Sequence, residues 1–135
     1  MNNKYKTKTG LTCFDTNMRS VFSYYKRDEL YMHIIEHKYD IVDLSETWAN
    51  NNISDSELNI PGYSLYRKDG NNTFKSKEGG VALYINENLV SIHHEVLPDT
   101  ECEAVWAKIS LSKNSHLLVG VCVVVLVLLL KKVYN

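Results

Sequence analysis

The sequence is short of cysteine, of net charge and of any apolar run at its start. Each shortage closes a class of function. The three cysteines are Cys13, Cys102 and Cys122. Their number is odd, their spacings are wide, and no Cys-x-x-Cys pair occurs. That argues against a disulfide framework or a zinc knuckle and fits a reducing compartment. The formal net charge is −1, so no global field recruits nucleic acid. Any basic surface must be local. Lys4, Lys6 and Lys8 form one such cluster, and Arg67, Lys68, Lys75 and Lys77 another. Either set can meet phosphates or stand as solvated surface. The opening "MNNKYKTKTG" has no apolar core and is not a signal peptide. The expected location is nuclear or cytoplasmic, not secreted, and the sequons at Asn52 and Asn71 are expected to be unused. No internal repeat occurs. Gly79-Gly80 lacks the downstream lysine of a phosphate loop and reads as a turn feeding a strand.

What is present reads as one ordinary domain. The chain has 135 residues, 44% hydrophobic and 23% charged, a globular balance. Residues 1–10 read as a disordered tail. "LTCFDTN" (11–17) predicts a short strand running into a loop. "DELYMHIIEHK" (28–38) predicts a helix, because Leu30, Tyr31, Ile34 and Ile35 fall on one apolar stripe. "YDIVDLSE" returns as a strand. Strand, helix, strand over this length favours parallel pairing. Strands are also expected at 63–68, 81–89, 91–97, 101–111 and 116–122, with a polar loop over 50–60. One helix followed by this many strands suggests one large, mostly antiparallel mixed sheet with the helix packed on it, an α/β (α+β) class.

The apolar run Leu117 to Leu130, "LLVGVCVVVLVLLL", is followed by Lys131 and Lys132. It is shorter than the roughly 20 residues that span a bilayer as a helix, so a membrane partner is not expected. Its composition is β-prone, uncharged and proline-free.

Three groups of residues can carry chemistry. His33-Ile34-Ile35-Glu36-His37 matches H-x-x-E-H, in which two histidines on one helix face bind zinc. The helix is short and no third ligand is placed, so a zinc peptidase using His33 and His37 is a remote alternative. His93 and His94 are adjacent in a strand and point to opposite faces. The third group is Asn17 and Glu46. Each follows a strand, and if those strands are parallel neighbours both emerge at one carboxyl-end edge, where open α/β sheets place ligands. A carboxylate beside an amide offers oxygen donors that suit Mg²⁺.

The ordered set "TNMRSV", "DIVDLSETW", "ELNIPGYSLYRKD", "GGVALYI", "ECEAVWAKI" and "HLLVGVC" resembles the amino-terminal half of the endonuclease/exonuclease/phosphatase superfamily. It is most similar to the apurinic-type endonuclease domain of non-LTR retrotransposons. The resemblance runs over residues 11–122. It implies half of a two-sheet α/β sandwich, present as one mixed sheet with a packed helix. It implies that Asn17 positions metal and phosphate and that Glu46 binds the divalent cation, Mg²⁺ or Mn²⁺. It implies DNA as partner and phosphodiester hydrolysis as reaction, with Trp48 helping to hold Glu46.

The likeness stops after Cys122. The family continues there with Tyr-Arg-Pro-Pro, and Val123 stands in its place. The later Asp-x-Asn pair, the further aspartate and the Ser-Asp-His end are not found in residues 123–135, which read as an aberrant Val/Leu-rich tail. A change of reading frame after Cys122, a wrongly placed gene boundary or a decayed element copy leaves this pattern. Residues of a catalytic unit fail together, so the chain is expected to be a truncated endonuclease, inactive alone. The alternative is a non-catalytic remnant that binds nucleic acid or a partner weakly, or is anchored by its tail. A lone sheet also leaves one face uncovered, so self-association through that face is expected.

Overall fold

A computed structural model describes residues 10–70, 79–95, 104–122 and 126–132, the last stretch by its backbone alone. The expected tail over residues 1–9, the lysines Lys75 and Lys77, Cys102 and Val123 lie outside the described residues.

The order is β1 (Cys13–Asn17), α1 (Tyr24–His37), β2 (Ile41–Ser45), α2 (Asp55–Leu58), β3 (Tyr63–Lys68), β4 (Val81–Asn86), β5 (Val90–His93), β6 (Ala104–Ser112), β7 (Ser115–Cys122) and β8 (Leu126–Lys132). These strands form two four-stranded sheets, ordered β1-β2-β4-β3 and β5-β6-β7-β8. This corrects the expected single mixed sheet. The class, mixed α/β with few helices, stands.

The division has a physical cause in β2 and β4, which are buried on both faces. A strand sealed on both sides needs two covering layers. On one side Ile41, Val81, Leu83 and Ile85 pack against Val105, Ala107, Ile109, Val119 and Val121 of the second sheet. On the other, Val42, Leu44, Ala82 and Tyr84 pack with Ile34, Ile60 and Tyr63. The chain leaves the first sheet at the turn after β4, where Leu89 is buried in the inter-sheet core. The inner face expected to lie bare is therefore covered by strands of the same chain.

Helix α1 begins four residues before the expected 28–38. Arg27 is buried, donates through Nη1 to the Val21 carbonyl at 2.9 Å and lies over the Tyr24 ring. Ile34 is sealed, while Ile35, expected on the same stripe, is exposed. The helix ends at Lys38, which turns left-handed (φ 51°) and sends its N–H back to the Ile34 carbonyl at 3.0 Å, a common way to satisfy a last-turn carbonyl.

The Val/Leu run is neither one long strand nor a helix. Its first part belongs to β7, and Leu126–Lys132 pairs antiparallel with β7 from Val121↔Leu126 to Ser115↔Lys132. Among the described residues no helix is long and apolar enough to cross a membrane.

One side chain ties the loop after β2 to β3. Arg67 grips Asp69 with Nε and Nη2 (3.0 and 2.8 Å), Asp55 with Nη1 (3.0 Å), and the carbonyls of Ile53 and Asn50 (2.9 and 3.1 Å). It is thereby occupied within the fold, not offered to phosphate. Arg67→Ala is expected to lower stability by about 2–3 kcal/mol, because charge-assisted bonds and loop carbonyls lose their donor together. Urea unfolding reads this directly, and an unchanged midpoint would count against it.

Candidate metal centre at the ends of β1 and β2

Strands β1 and β2 are parallel and run in register from Cys13↔Ile41 to Asn17↔Ser45. Their carboxyl ends are flush, so Asn17 and Glu46 leave the sheet at the same edge. The start is pinned too. Buried Asp40 accepts from the Thr12 N–H at 2.8 Å and from its hydroxyl at 3.1 Å.

Beyond the strands the two loops stay stitched together. Met18, Ser20 and Val21 donate to the carbonyls of Ser45, Glu46 and Thr47 at 2.8, 3.0 and 2.8 Å. On the other side Thr47 and Trp48 donate to the carbonyls of Gly80 and Gly79 at 3.2 and 2.8 Å. Residues 46–48 are thus held from both flanks. The contact with β4 requires glycine, since Gly80 has φ +86° and a Cβ there would lie 2.5 Å from Thr47 Oγ1.

Backbone strain gathers at this edge. Among the described residues, the non-glycine residues with positive φ are Arg19 (48°), Ser20 (95°), Glu46 (51°), Trp48 (55°) and the helix cap Lys38. All but the cap lie in the two stitched loops. Left-handed backbone is unfavourable for such residues and persists where surroundings enforce it, most often at functional sites.

The reversal at Trp48 brings its indole back to Glu46. Nε1 donates to Glu46 Oε2 at 2.8 Å, and the Gly79 N–H donates to the same oxygen at 3.1 Å. Oε1 accepts no hydrogen bond from the described residues. Glu46 is half-buried and Asn17 is exposed. The result is a carboxylate fixed through one oxygen, at the same strand-end edge as the Asn17 side chain. That fits a hard cation such as Mg²⁺, which keeps several waters and takes one or two carboxylates from a protein. No group of three or more His, Cys, Asp or Glu side chains placed to hold a metal occurs among the described residues.

The histidine pair is placed otherwise. His37 Nδ1 donates to the His33 carbonyl at 2.9 Å, and His33 Nε2 meets the Tyr39 hydroxyl at 3.1 Å. Both rings belong to a stack with Phe14 and Tyr39. They have no third ligand among the described residues. His93 stacks on Tyr66. Cavities of about 230 Å³, at Tyr63 and Asn86, and about 420 Å³, on the outer face of α1 at Tyr25 and Met32, lie away from Glu46.

One acid near the edge, inside the quoted run "DIVDLSETW", is given no role by the sequence reading. Asp43 is 1% exposed, and among the described residues only the Asp15 carboxyl approaches its carboxylate oxygens. Its carboxyl is pushed up to about 8, first by burial and then by the neighbouring Asp15 carboxyl. Its signal in the sequence is an acid set among Ile41, Val42 and Leu44.

No family model matches the chain, and no curated protein matches it significantly.

Proposed function

We propose that the chain derives from a divalent-metal-dependent DNA endonuclease of the endonuclease/exonuclease/phosphatase type, similar to those of non-LTR retrotransposons, and that these 135 residues do not cleave DNA alone. The observation that carries the reading is Glu46. Its carboxylate stands at the shared carboxyl end of two parallel strands, is held through Oε2 by Trp48 and Gly79, accepts nothing at Oε1 from the described residues, and shares the edge with Asn17. The motif order around it supports the same reading.

In this reading the Glu46 carboxylate would hold Mg²⁺ or Mn²⁺, and the Asn17 amide would orient a phosphate oxygen. When bound, the ion stabilises negative charge on the phosphate and on the leaving oxygen. Trp48 and Gly79 keep the carboxylate from rotating, so little reorganisation is needed when substrate arrives. By the resemblance, the residues that would activate water and protonate the leaving group belong to motifs not found after Cys122, and that is why these residues are expected to be silent alone. The finer family assignment, an endonuclease-type sandwich, belongs to the same proposal.

The test combines plasmid nicking in Mg²⁺ with Mn²⁺ binding. Neither the parent nor Glu46→Ala is expected to relax supercoiled DNA. Mn²⁺ bound at this edge is expected to disappear in Glu46→Gln. Retention of all Mn²⁺ binding by Glu46→Gln would remove the metal reading. Nicking by the parent and not by Glu46→Ala would keep the site and overturn the inactivity.

A further inference from the structure

We propose that Asp15 and Asp43 form a second divalent-cation site on the inter-sheet face of β1 and β2, separate from Glu46. The two residues are register partners on parallel strands. Adjacent strands lie about 4.8 Å apart, and register partners of a parallel pair point to the same face. That face is the one Ile41 turns toward the second sheet, since Ile41 and Asp43 are two residues apart on β2. Two carboxyl groups therefore stand side by side, one buried and one exposed at the sheet edge.

Such a pair needs something between its members. Like charges on neighbouring strands repel, and a buried polar group without a partner is destabilising. The described surroundings supply no counter-charge. On β4 the register partner of Asp43 is Leu83. The core residues that β7 contributes opposite are Val119 and Val121. Among the described residues neither aspartate side chain forms an ion pair or accepts a hydrogen bond from any third residue, and what the Asp43 carboxyl meets is the Asp15 carboxyl itself. The edge position of β1 leaves Asp15 open to water. An ion can therefore reach the pair from solvent, keep waters on its outer side and take one oxygen from each carboxylate. Two carboxylates with retained water are the donor set of Mg²⁺ or Mn²⁺, whereas zinc prefers nitrogen and sulfur donors.

The site is distinct from the Glu46 edge by strand geometry. Asp43 sits inside β2 on its inter-sheet face, whereas Glu46 lies past the strand end at a left-handed turn (φ 51°) where Trp48 and Gly79 hold it. Two separate ions are expected, and Glu46→Gln tests that. The inference does not rest on the nuclease reading.

Mn²⁺ titration of the full chain, followed by electron paramagnetic resonance, tests it with Asp15→Asn, Asp43→Asn and Glu46→Gln. The parent is expected to bind two ions. Asp15→Asn and Asp43→Asn are each expected to bind one fewer, and Glu46→Gln is expected to leave the Asp15–Asp43 ion in place. Asp15 is exposed, so its variant folds whatever happens to Asp43. Unchanged stoichiometry and affinity in Asp15→Asn and in Asp43→Asn would overturn the site and leave the carboxyl pair sharing a proton instead. Loss in Asp15→Asn with no change in Glu46→Gln would support this site while rejecting the metal role of Glu46.

Discussion

In metal-free buffer, Asp43→Asn is expected to match the parent in stability near pH 4 and to exceed it by about 4–6 kcal/mol at pH 8. The folded state holds the Asp43 carboxyl at about 8, against 3.8 when free. Between those values the folded chain keeps a proton that the unfolded chain releases. Stability then falls as pH rises from about 4 to about 8 and levels off above. This is the reverse of acid denaturation, where paired carboxylates lose their partners. The asparagine variant has no such proton to lose, so its own stability lacks this slope, and the difference between variant and parent grows with pH. Domains of this kind carry roughly 5–15 kcal/mol in total, so the effect is a large share. Urea unfolding at pH 4, 6 and 8 in EDTA measures it. A difference that does not change with pH would show that Asp43 is ionised in the fold and has found a partner. Millimolar Mn²⁺ is expected to flatten the parent's slope, because an ion on the carboxylate replaces the proton.

How much of this was legible in the sequence depends on the range of the interaction. Local pattern was enough for β3, which occupies the expected 63–68, and for the parallel β1–β2 pair with a helix between. The placement of Asn17 and Glu46 at one edge follows from that pair. The second sheet was not legible. Whether a chain extends a sheet or crosses to a new one depends on contacts made only in the folded state, such as the burial of Leu89 in the inter-sheet core. Helix α2 carried a readable signal that the polar composition of 50–60 concealed. Ser54 stands three residues before Glu57, and its hydroxyl accepts the Glu57 N–H at 3.3 Å, the spacing of a helix start. Arg67 looked like one of a basic cluster because, besides nearby Asp69, its acceptors, Asp55 and the carbonyls of Asn50 and Ile53, come from another segment. Asp43 was in plain view, but its isolation is produced by β4 and the second sheet.

Trp48→Phe is expected to weaken Mn²⁺ at the Glu46 edge by about 10–100-fold while changing stability by no more than about 1 kcal/mol. The argument starts at the backbone. Left-handed φ at both Glu46 and Trp48 folds the chain sharply enough to bring the indole back onto the carboxylate two residues before it. The indole N–H and the Gly79 N–H share Oε2, and that sharing sets the direction of Oε1. Phenylalanine keeps most of the ring but removes one of the two donors. The carboxylate then swings on the remaining bond, and a ligand free to swing binds an ion less tightly than one held in place. The measurement belongs in an Asp15→Asn background, so that only the Glu46 edge is read. A fall in affinity at unchanged unfolding midpoint assigns Trp48 an orienting role toward the ion. Unchanged affinity would mean that the strained turn serves the packing of residues 46–49 alone, and that Gly79 suffices to aim Glu46.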